Sequence, residues 1–322
     1  MKRWFRFELI LILFALAVTV FEGCKQKSDT SKEELASFMN SGDTDTSNAK
    51  NSPRKNLSEA FKKYWYAGEA EITSYKLEQA RYGELRDGKA VLVYVTEPFL
   101  PEVQVKADRS NPSNIPVLKL NATKKYVTGI YPYSIMSSTF YPVHDNQHAI
   151  KTSLSIQEWC GHVYSQLNNR EEFEFTSHSY FENEADQNLT LEKALLENEI
   201  WNKIRISPSD LPIGEIDIIP SLEFFRVKHL PVQAMKANCT LTTDGAISTY
   251  TIEYAKGLRK LTIDFSKEFP YTIEGWTEEF KSGYGANAKT LTSKGTKLKS
   301  LKSPYWRQNS TKFEHLRDSL DL

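Results

Sequence analysis

Apolar and polar positions alternate along most of the chain beyond about residue 70, the period of two that marks β-strands. AEITSYKLEQARYGELRDGKAVLVYVTEPF holds two such runs. Their joint is expected at Asp87-Gly88, a pair tolerant of positive φ, and the second run stops at Glu97-Pro98, where proline removes a ladder donor. NIPVLKLNATKKYVTGIYPYSIMSSTFYPV continues across Thr128-Gly129, with Pro132 and Pro142 suited to bends or edges. SLSIQEWCGHVYSQLNN and EEFEFTSHSYFENEAD form an expected antiparallel pair joined near Asn168 and Asn169. GEIDIIPSLEFFRVKHL, ISTYTIEYAKGLRKLTIDF and YTIEGWTEEF resume the strand pattern, with turns at Lys256-Gly257 and between Lys267 and Pro270. AKTLTSKGTKLKSLKSPYW adds one or two strands.

Two segments change the period. SEAFKKYWYA has a Ser58 cap and sets Phe61, Tyr64 and Trp65 at helical spacing. TLEKALLENEIWNKIRI places Leu191, Leu195, Ile200 and Ile204 on one stripe, between Thr190 and Ser207-Pro208. It predicts one long helix packed on the sheet. Strands on short connections around one helix give a mainly β, α+β fold: a large curved antiparallel sheet or a partly closed barrel with one long packed helix. Residues 58–322 are expected to form that β-rich domain, with a sub-boundary near 185–215 left open.

The beginning of the chain changes the picture from fold to location. Lys2, Arg3 and Arg6 precede an apolar run from Leu9 to Phe21, shorter than the ~20 residues that span a bilayer. This is the pattern of a secretion signal, and Phe21-Glu22-Gly23-Cys24 resembles the lipobox of bacterial lipoproteins. Gly23 and Cys24 carry the likeness; Phe21 and Glu22 depart from it. The resemblance implies cleavage after residue 23, lipidation of Cys24 and attachment to the outer membrane. Residues 24–57, rich in Ser, Asp, Asn, Thr and Lys, then form an expected disordered tether.

Charge is balanced, with 41 basic and 41 acidic residues, and gives no reason to expect a nucleic-acid partner. The 12% of aromatic residues suits strands, and also a wall for an apolar or lipid-like ligand. Tyr75, Tyr94, Tyr133 and Trp159 are the candidate wall residues. The basic run from Lys281 to Lys312 reads either as an edge strand guarded by lysines or as a contact for anionic lipid head groups.

Candidate chemistry gathers in SIQEWCGHVY. Read as a strand, it projects Glu158, Cys160 and His162 from one face, an arrangement that would suit a thiol nucleophile with an imidazole beside it. Neither a zinc spacing nor a third orienting residue is legible. Cys239 offers Cys160 a disulfide partner in an oxidising compartment. His178, Glu182, Glu184 and Asp186 lack the glycine and spacing of a calcium loop and read as a solvated acidic turn; no metal or other cofactor is expected.

NSPRKNL, residues 51–57, shares Ser52, Pro53 and Arg54 with the signature of the Maf nucleotide pyrophosphatases, but without that signature's strand context. A broader resemblance rests on YWYAGEAEITSYKLEQARYGELRDGKAVLVYVTEPF, IYPYSIMSSTFYPV and SIQEWCGHVYSQLNN. These are similar to a group of uncharacterised Gram-negative envelope lipoproteins, some named after the septum formation inhibitor Maf. That resemblance implies a lipid-anchored envelope protein. Together the sequence points to a non-enzymatic binding or structural protein whose partner is the membrane through Cys24, an apolar ligand or another envelope protein. The alternative is an envelope hydrolase or transferase built on Cys160 and His162.

Overall fold

The computed structural model describes residues 56–145 and 147–322. The signal, Cys24 and nearly all of the tether lie outside the described residues.

The first described element is α1 (Glu59–Trp65), whose Ser58 cap accepts from the Phe61 N–H. Strands β1 (Ala70–Arg81), β2 (Glu84–Leu100), the short β3 (Val105–Lys106), β4 (Ile115–Thr128), β5 (Tyr131–Pro142), β6 (Lys151–Glu158), β7 (Gly161–Asn169), β8 (Phe173–Ser179) and β9 (Gln187–Leu191) follow. Then come β10 (Leu195–Leu196), α2 (Glu197–Ile206), β11 (Gly214–Ile219), α3 (Leu222–Lys228), β12 (Met235–Asp244), β13 (Ile247–Tyr254), β14 (Arg259–Ser266), β15 (Ile273–Ser282) and β16 (Lys289–Ser303).

All sixteen strands belong to one sheet, in the order β10-β11-β12-β13-β14-β15-β16-β1-β2-β4-β5-β6-β7-β8-β9, with β3 attached to β2. Neighbours are antiparallel except β10 and β11, which run parallel. The large curved antiparallel sheet expected from the sequence is therefore present. Its two ends, β9 and β10, are consecutive in the chain and separated only by residues 192–194. Four Cα steps reach at most about 14 Å, so the sheet must curl back until its edges nearly meet. The result is a barrel with one unpaired seam. At one end of the seam Glu184, before β9, accepts from Arg226 of α3 at 3.1 Å and sits 2.7 Å from His229 Nδ1.

Inward positions carry the core: Tyr75, Leu77, Leu92, Leu120, Leu154, Phe175, Ile252, Ile263 and Trp276 join one cluster around the interior. Outward positions are polar, as in Lys236, Asn238, Thr240 and Thr242 on β12 or Glu279, Thr292, Lys294 and Thr296 on β15 and β16. A lipid-facing barrel has the reverse arrangement. The chain after β16 lies over the outer face, where Leu320 and Leu322 cover Ile72, Val91, Val93 and Val95, and Lys89 bonds Asp321 at 2.9 Å.

Several expectations are corrected. The β1–β2 turn falls at Tyr82-Gly83, both at positive φ, and Asp87-Gly88 lies within β2. Gly88 is required there for another reason: a Cβ would come 2.3 Å from the Lys125 carbonyl oxygen of β4. The long helix over 190–206 divides into the end of β9, β10 and a helix of ten residues, α2. Leu191 pairs with Phe173 and Leu195 with Ile218, so tertiary pairing overrides helical periodicity where the chain crosses the seam. The end of GEIDIIPSLEFFRVKHL is helix α3, capped by Ser221, and not strand. The basic C-terminal run does not form an edge, because β16 lies between β15 and β1.

Gly295 is equally constrained on the inward side, since a Cβ there would meet the Trp276 ring at 2.4 Å. Gly295→Ala is expected to cost about 2 kcal/mol through forced movement of that ring. A urea midpoint unchanged from the parent would show that the indole does not rest on Gly295.

Candidate functional site

A barrel of this many strands has more lumen than strand side chains alone can fill. α2 occupies it. The helix carries acids in its first turn and bases in its last, which favours its dipole, yet Glu197, Glu199, Asn202, Lys203 and Arg205 are all buried. Each is held by a group from the surrounding wall.

Arg205 makes two parallel bonds to Glu71 of β1, at 2.6 and 2.7 Å, and its Nε donates to the Pro270 carbonyl at 2.9 Å. Its guanidinium lies over the rings of Trp65 and Tyr94, 4.9 and 4.6 Å from their centroids. Tyr64 adds a short hydrogen bond to Glu71. Burial alone would raise the Glu71 carboxyl, but the Arg205 charge, hydrogen bonds from Arg205 and Tyr64, and Lys302 together hold it below its ordinary value.

At the other end of α2, Glu197 accepts from Tyr254 at 2.7 Å and pairs closely with Arg259, whose Nε donates to Glu278 at 2.7 Å. Burial pushes the Glu278 carboxyl up, while Arg259 and Lys124 outweigh it and bring it below the ordinary range. Glu199 faces the opposite wall, 3.0 Å from His148 Nδ1, and accepts from the Ala149 N–H at 2.6 Å. Lys203 donates to Tyr141 at 2.9 Å, and Asn202 to the Leu118 carbonyl at 2.7 Å. The helix thus ties β1, β4, β5, β13 and β14 together from inside.

Between α2 and the wall remains a cavity of about 60 Å³, bordered by Lys124, Trp201, Glu223, Arg259, Trp276 and Glu278. That is room for a few waters, well below the several hundred Å³ usual for an organic ligand. Lys124 and Glu223 pair across it at 2.8 Å.

The expected site residues separate into two places. Tyr75 and Tyr94 do not face an open concave wall. Tyr75 donates to the Ile273 carbonyl and Tyr94 to the Trp201 carbonyl, both sealed beneath α2. Tyr133 and Trp159 lie toward one end of the barrel. There Tyr133 stacks on Tyr126 with centroids 5.0 Å apart, bonds Tyr82 at 2.7 Å and Arg81 at 3.2 Å, and is followed outward by Tyr131 and then exposed Trp159, 6.2 Å from Tyr131.

SIQEWCGHVY is a hairpin and not one strand. Glu158 pairs with Gly161 and Gln157 with His162, leaving Trp159-Cys160 as the two-residue tip. Cys160 is therefore not on a common strand face with His162. Glu158 accepts from the Cys160 N–H at 2.7 Å, and the Glu158 hydrogen bond and charge raise the thiol above its ordinary value. Cys160 is exposed, Cys239 is buried in β12, and both are free, so the disulfide is not formed. His178 and Asp186 approach at 3.4 Å on the surface, and Glu184 is committed to Arg226 and His229. Among the described residues no group of three acidic, histidine or cysteine side chains is placed to hold a metal.

Sequence reading missed the interior charges, although a signal exists: Arg259 is in phase with Leu261, Ile263 and Phe265, Glu278 with Trp276 and Phe280, and Lys124 with Leu120 and Tyr126. A charge on the core parity of a strand requires an interior partner.

The architecture is a seamed β-barrel plugged by a charged helix. No family model and no curated protein matches the chain. Among solved structures it is similar to a β-barrel-like protein of the domain of unknown function DUF1849 from Brucella abortus, at 9% identity over 73% of this chain and 98% of that one, with a TM-score of 0.44. A DUF1089 family protein from Pseudomonas aeruginosa matches at 10% identity over 48% and 82% of the two chains, TM-score 0.31. Identity this low carries no chemistry from one chain to another.

Two predictions test the site. Glu71→Leu strands Arg205 in the core and is expected to cost about 3–5 kcal/mol, with Glu71→Leu/Arg205→Met restoring most of it; a single-variant loss under about 1 kcal/mol in urea titration would contradict the buried pairing. Because the Glu71 and Glu278 carboxyls are depressed when folded, their stabilisation is full above the ordinary value of 4.5 and is lost as pH falls through the lower folded values. The second concerns Cys160, which is expected to react with iodoacetamide at neutral pH more slowly than an unperturbed cysteine, and faster after Glu158→Gln. A parent rate above that of a model peptide would restore the nucleophile reading.

Proposed function

We propose that the protein is a lipid-anchored component of a Gram-negative cell envelope that acts by binding or structural contact, without catalysis. The observation that carries this reading is the filled interior: α2 occupies the lumen, its charged side chains are tied to the wall, and the cavity of about 60 Å³ beside it is too small for a substrate. The lipobox-like Phe21-Glu22-Gly23-Cys24 supports an acyl anchor on Cys24 in the outer membrane, with residues 24–57 as tether. An apolar or lipid-like ligand then meets the protein at the end of the barrel, where Trp159 stands exposed beyond Tyr131 and Tyr133, and not at Tyr75 or Tyr94. The rival hydrolase or transferase on Cys160 and His162 is disfavoured because Glu158 opposes the thiolate such chemistry needs.

The test is the intact and native mass of the full chain purified from a Gram-negative envelope. The expected result is a chain beginning at an acylated Cys24, with a bound apolar molecule that Trp159→Ala releases without changing the urea midpoint. An unprocessed N-terminus would overturn the anchor. Hydrolysis of an envelope ester that Cys160→Ala abolishes would replace the reading with an enzyme.

A further inference from the structure

Exposed apolar side chains also occur elsewhere, as at Val103, Ile213 and Trp306, but one end of the barrel carries one on each of several neighbouring hairpin tips. Going round the sheet from β15 to β9, the five successive hairpin tips at that end fall at residues 283–288, 82–83, 129–130, 159–160 and 180–186. Register steps the tips evenly along one rim: Gly88 is opposite Tyr126, Ser134 opposite Gln157 and Val163 opposite Ser179, so each tip is set back two residues from the one before, the stagger that tilted barrel strands take up, while the Gly83 N–H donates to the Ser282 hydroxyl at 3.2 Å. Each tip presents one large aromatic or aliphatic side chain outward. These are Tyr284, Tyr82, Ile130, Trp159 and Tyr180, with 61, 37, 83, 69 and 76% of their surface exposed. Apart from Tyr82, which bonds Tyr133 and Arg81, these tip residues belong to no interior cluster that would select such side chains, and turns ordinarily favour Gly, Asn, Asp and Ser.

Three of the side chains rest on neighbours. Tyr82 carries the Arg81 guanidinium 4.2 Å above its ring, Trp159 rests beside Tyr131, and the Tyr180 ring lies over Gly161, where a Cβ would come within 2.6 Å. Three tyrosines, a tryptophan and an isoleucine therefore offer apolar surface with polar handles, and Tyr82, Trp159 and Tyr180 have little ordering entropy left to lose. Tips spread along a barrel rim define a plane and not a groove, and the natural counterpart of a plane is a bilayer surface. Tyr and Trp are the residues that favour the interfacial layer of a membrane. Lys281 beside them and Lys256 on the next tip are exposed for phosphate groups, while Glu84 and Glu182 keep the rim from being uniformly cationic.

We propose that this rim of five hairpin tips is a docking surface for the interfacial layer of a lipid bilayer. The proposal rests on the envelope reading above, which brings the protein to a membrane. The chain joins the barrel at the opposite end, through α1 and the start of β1. A twelve-residue strand such as β1 spans about 40 Å. The stretch from Cys24 to Lys55 reaches about 100 Å when extended, enough to return the rim to the bilayer that would hold the anchor.

The test uses the full chain with Cys24→Ser, which cannot be acylated, so that a missing anchor and a missing docking surface are read separately. An environment-sensitive fluorophore on Cys160, the one exposed cysteine of the described residues, reports immersion of the rim when vesicles of phosphatidylcholine, alone or with phosphatidylglycerol, are added. The expected result is a blue shift that brominated acyl chains quench, with the lipid concentration at half-effect raised about tenfold or more in Ile130→Ser/Tyr180→Ser/Tyr284→Ser. A label indifferent to vesicles, or a response that the triple variant leaves intact, would overturn the proposal. So would a vesicle-independent response that follows protein concentration and is lost with the variant, since that would give the rim to a second copy of the chain.

Discussion

The space inside sixteen strands is the constraint on which the architecture depends. A sheet of this width, curled until its edges nearly meet, leaves a lumen that must be filled by water, a ligand or part of the protein itself. Here the filling is a ten-residue helix too polar to be buried on hydrophobic grounds. Its burial is tolerable only because Glu71, Glu278 and Arg259 approach from the wall on the core parity of their strands and complete the charges that α2 brings in. The wall and the plug specify each other. Neither Glu71 without Arg205 nor Arg259 without Glu197 would be an acceptable interior group.

That arrangement also separates the rigid interior from the rim proposed above as a contact surface. Inside, ion pairs of low exposure fix the position of α2 against both halves of the sheet, and the residual cavity is of water size. Outside, the strands are mostly polar, and Ile130, Trp159, Tyr180 and Tyr284 are exposed on hairpin tips away from the interior cluster.

The sequence made the class of fold legible because strand periodicity is strong from β1 to β16 and most outward positions are polar. It misplaced elements where one residue serves two physical ends. Gly88 looked like a turn residue because glycine permits positive φ, whereas it is needed for close approach of β4. Leu191 and Leu195 completed a helical stripe with Ile200, but pair in strands on either side of the seam. Of the site, Trp159 was legible as an aromatic of interest, though its neighbour Cys160 drew more attention than its place on an exposed tip warrants. The interior ion pairs were hidden by distance in sequence: Glu71 and Arg205 are 134 residues apart, and no local pattern joins them.

The pairing of β1 with β16 sets the order in which such a chain can organise. Every other strand contact around the barrel joins near neighbours in sequence, so β1 to β9 and β11 to β16 are each a local meander with short loops to close. Only the β1–β16 ladder, with Ala70 opposite Ser303, brings distant parts of the chain together. Its closure entropy is recovered only once both flanking sheets are available to zip. The kinetic bottleneck of this barrel therefore lies opposite its seam, at the place where the finished structure is most continuous.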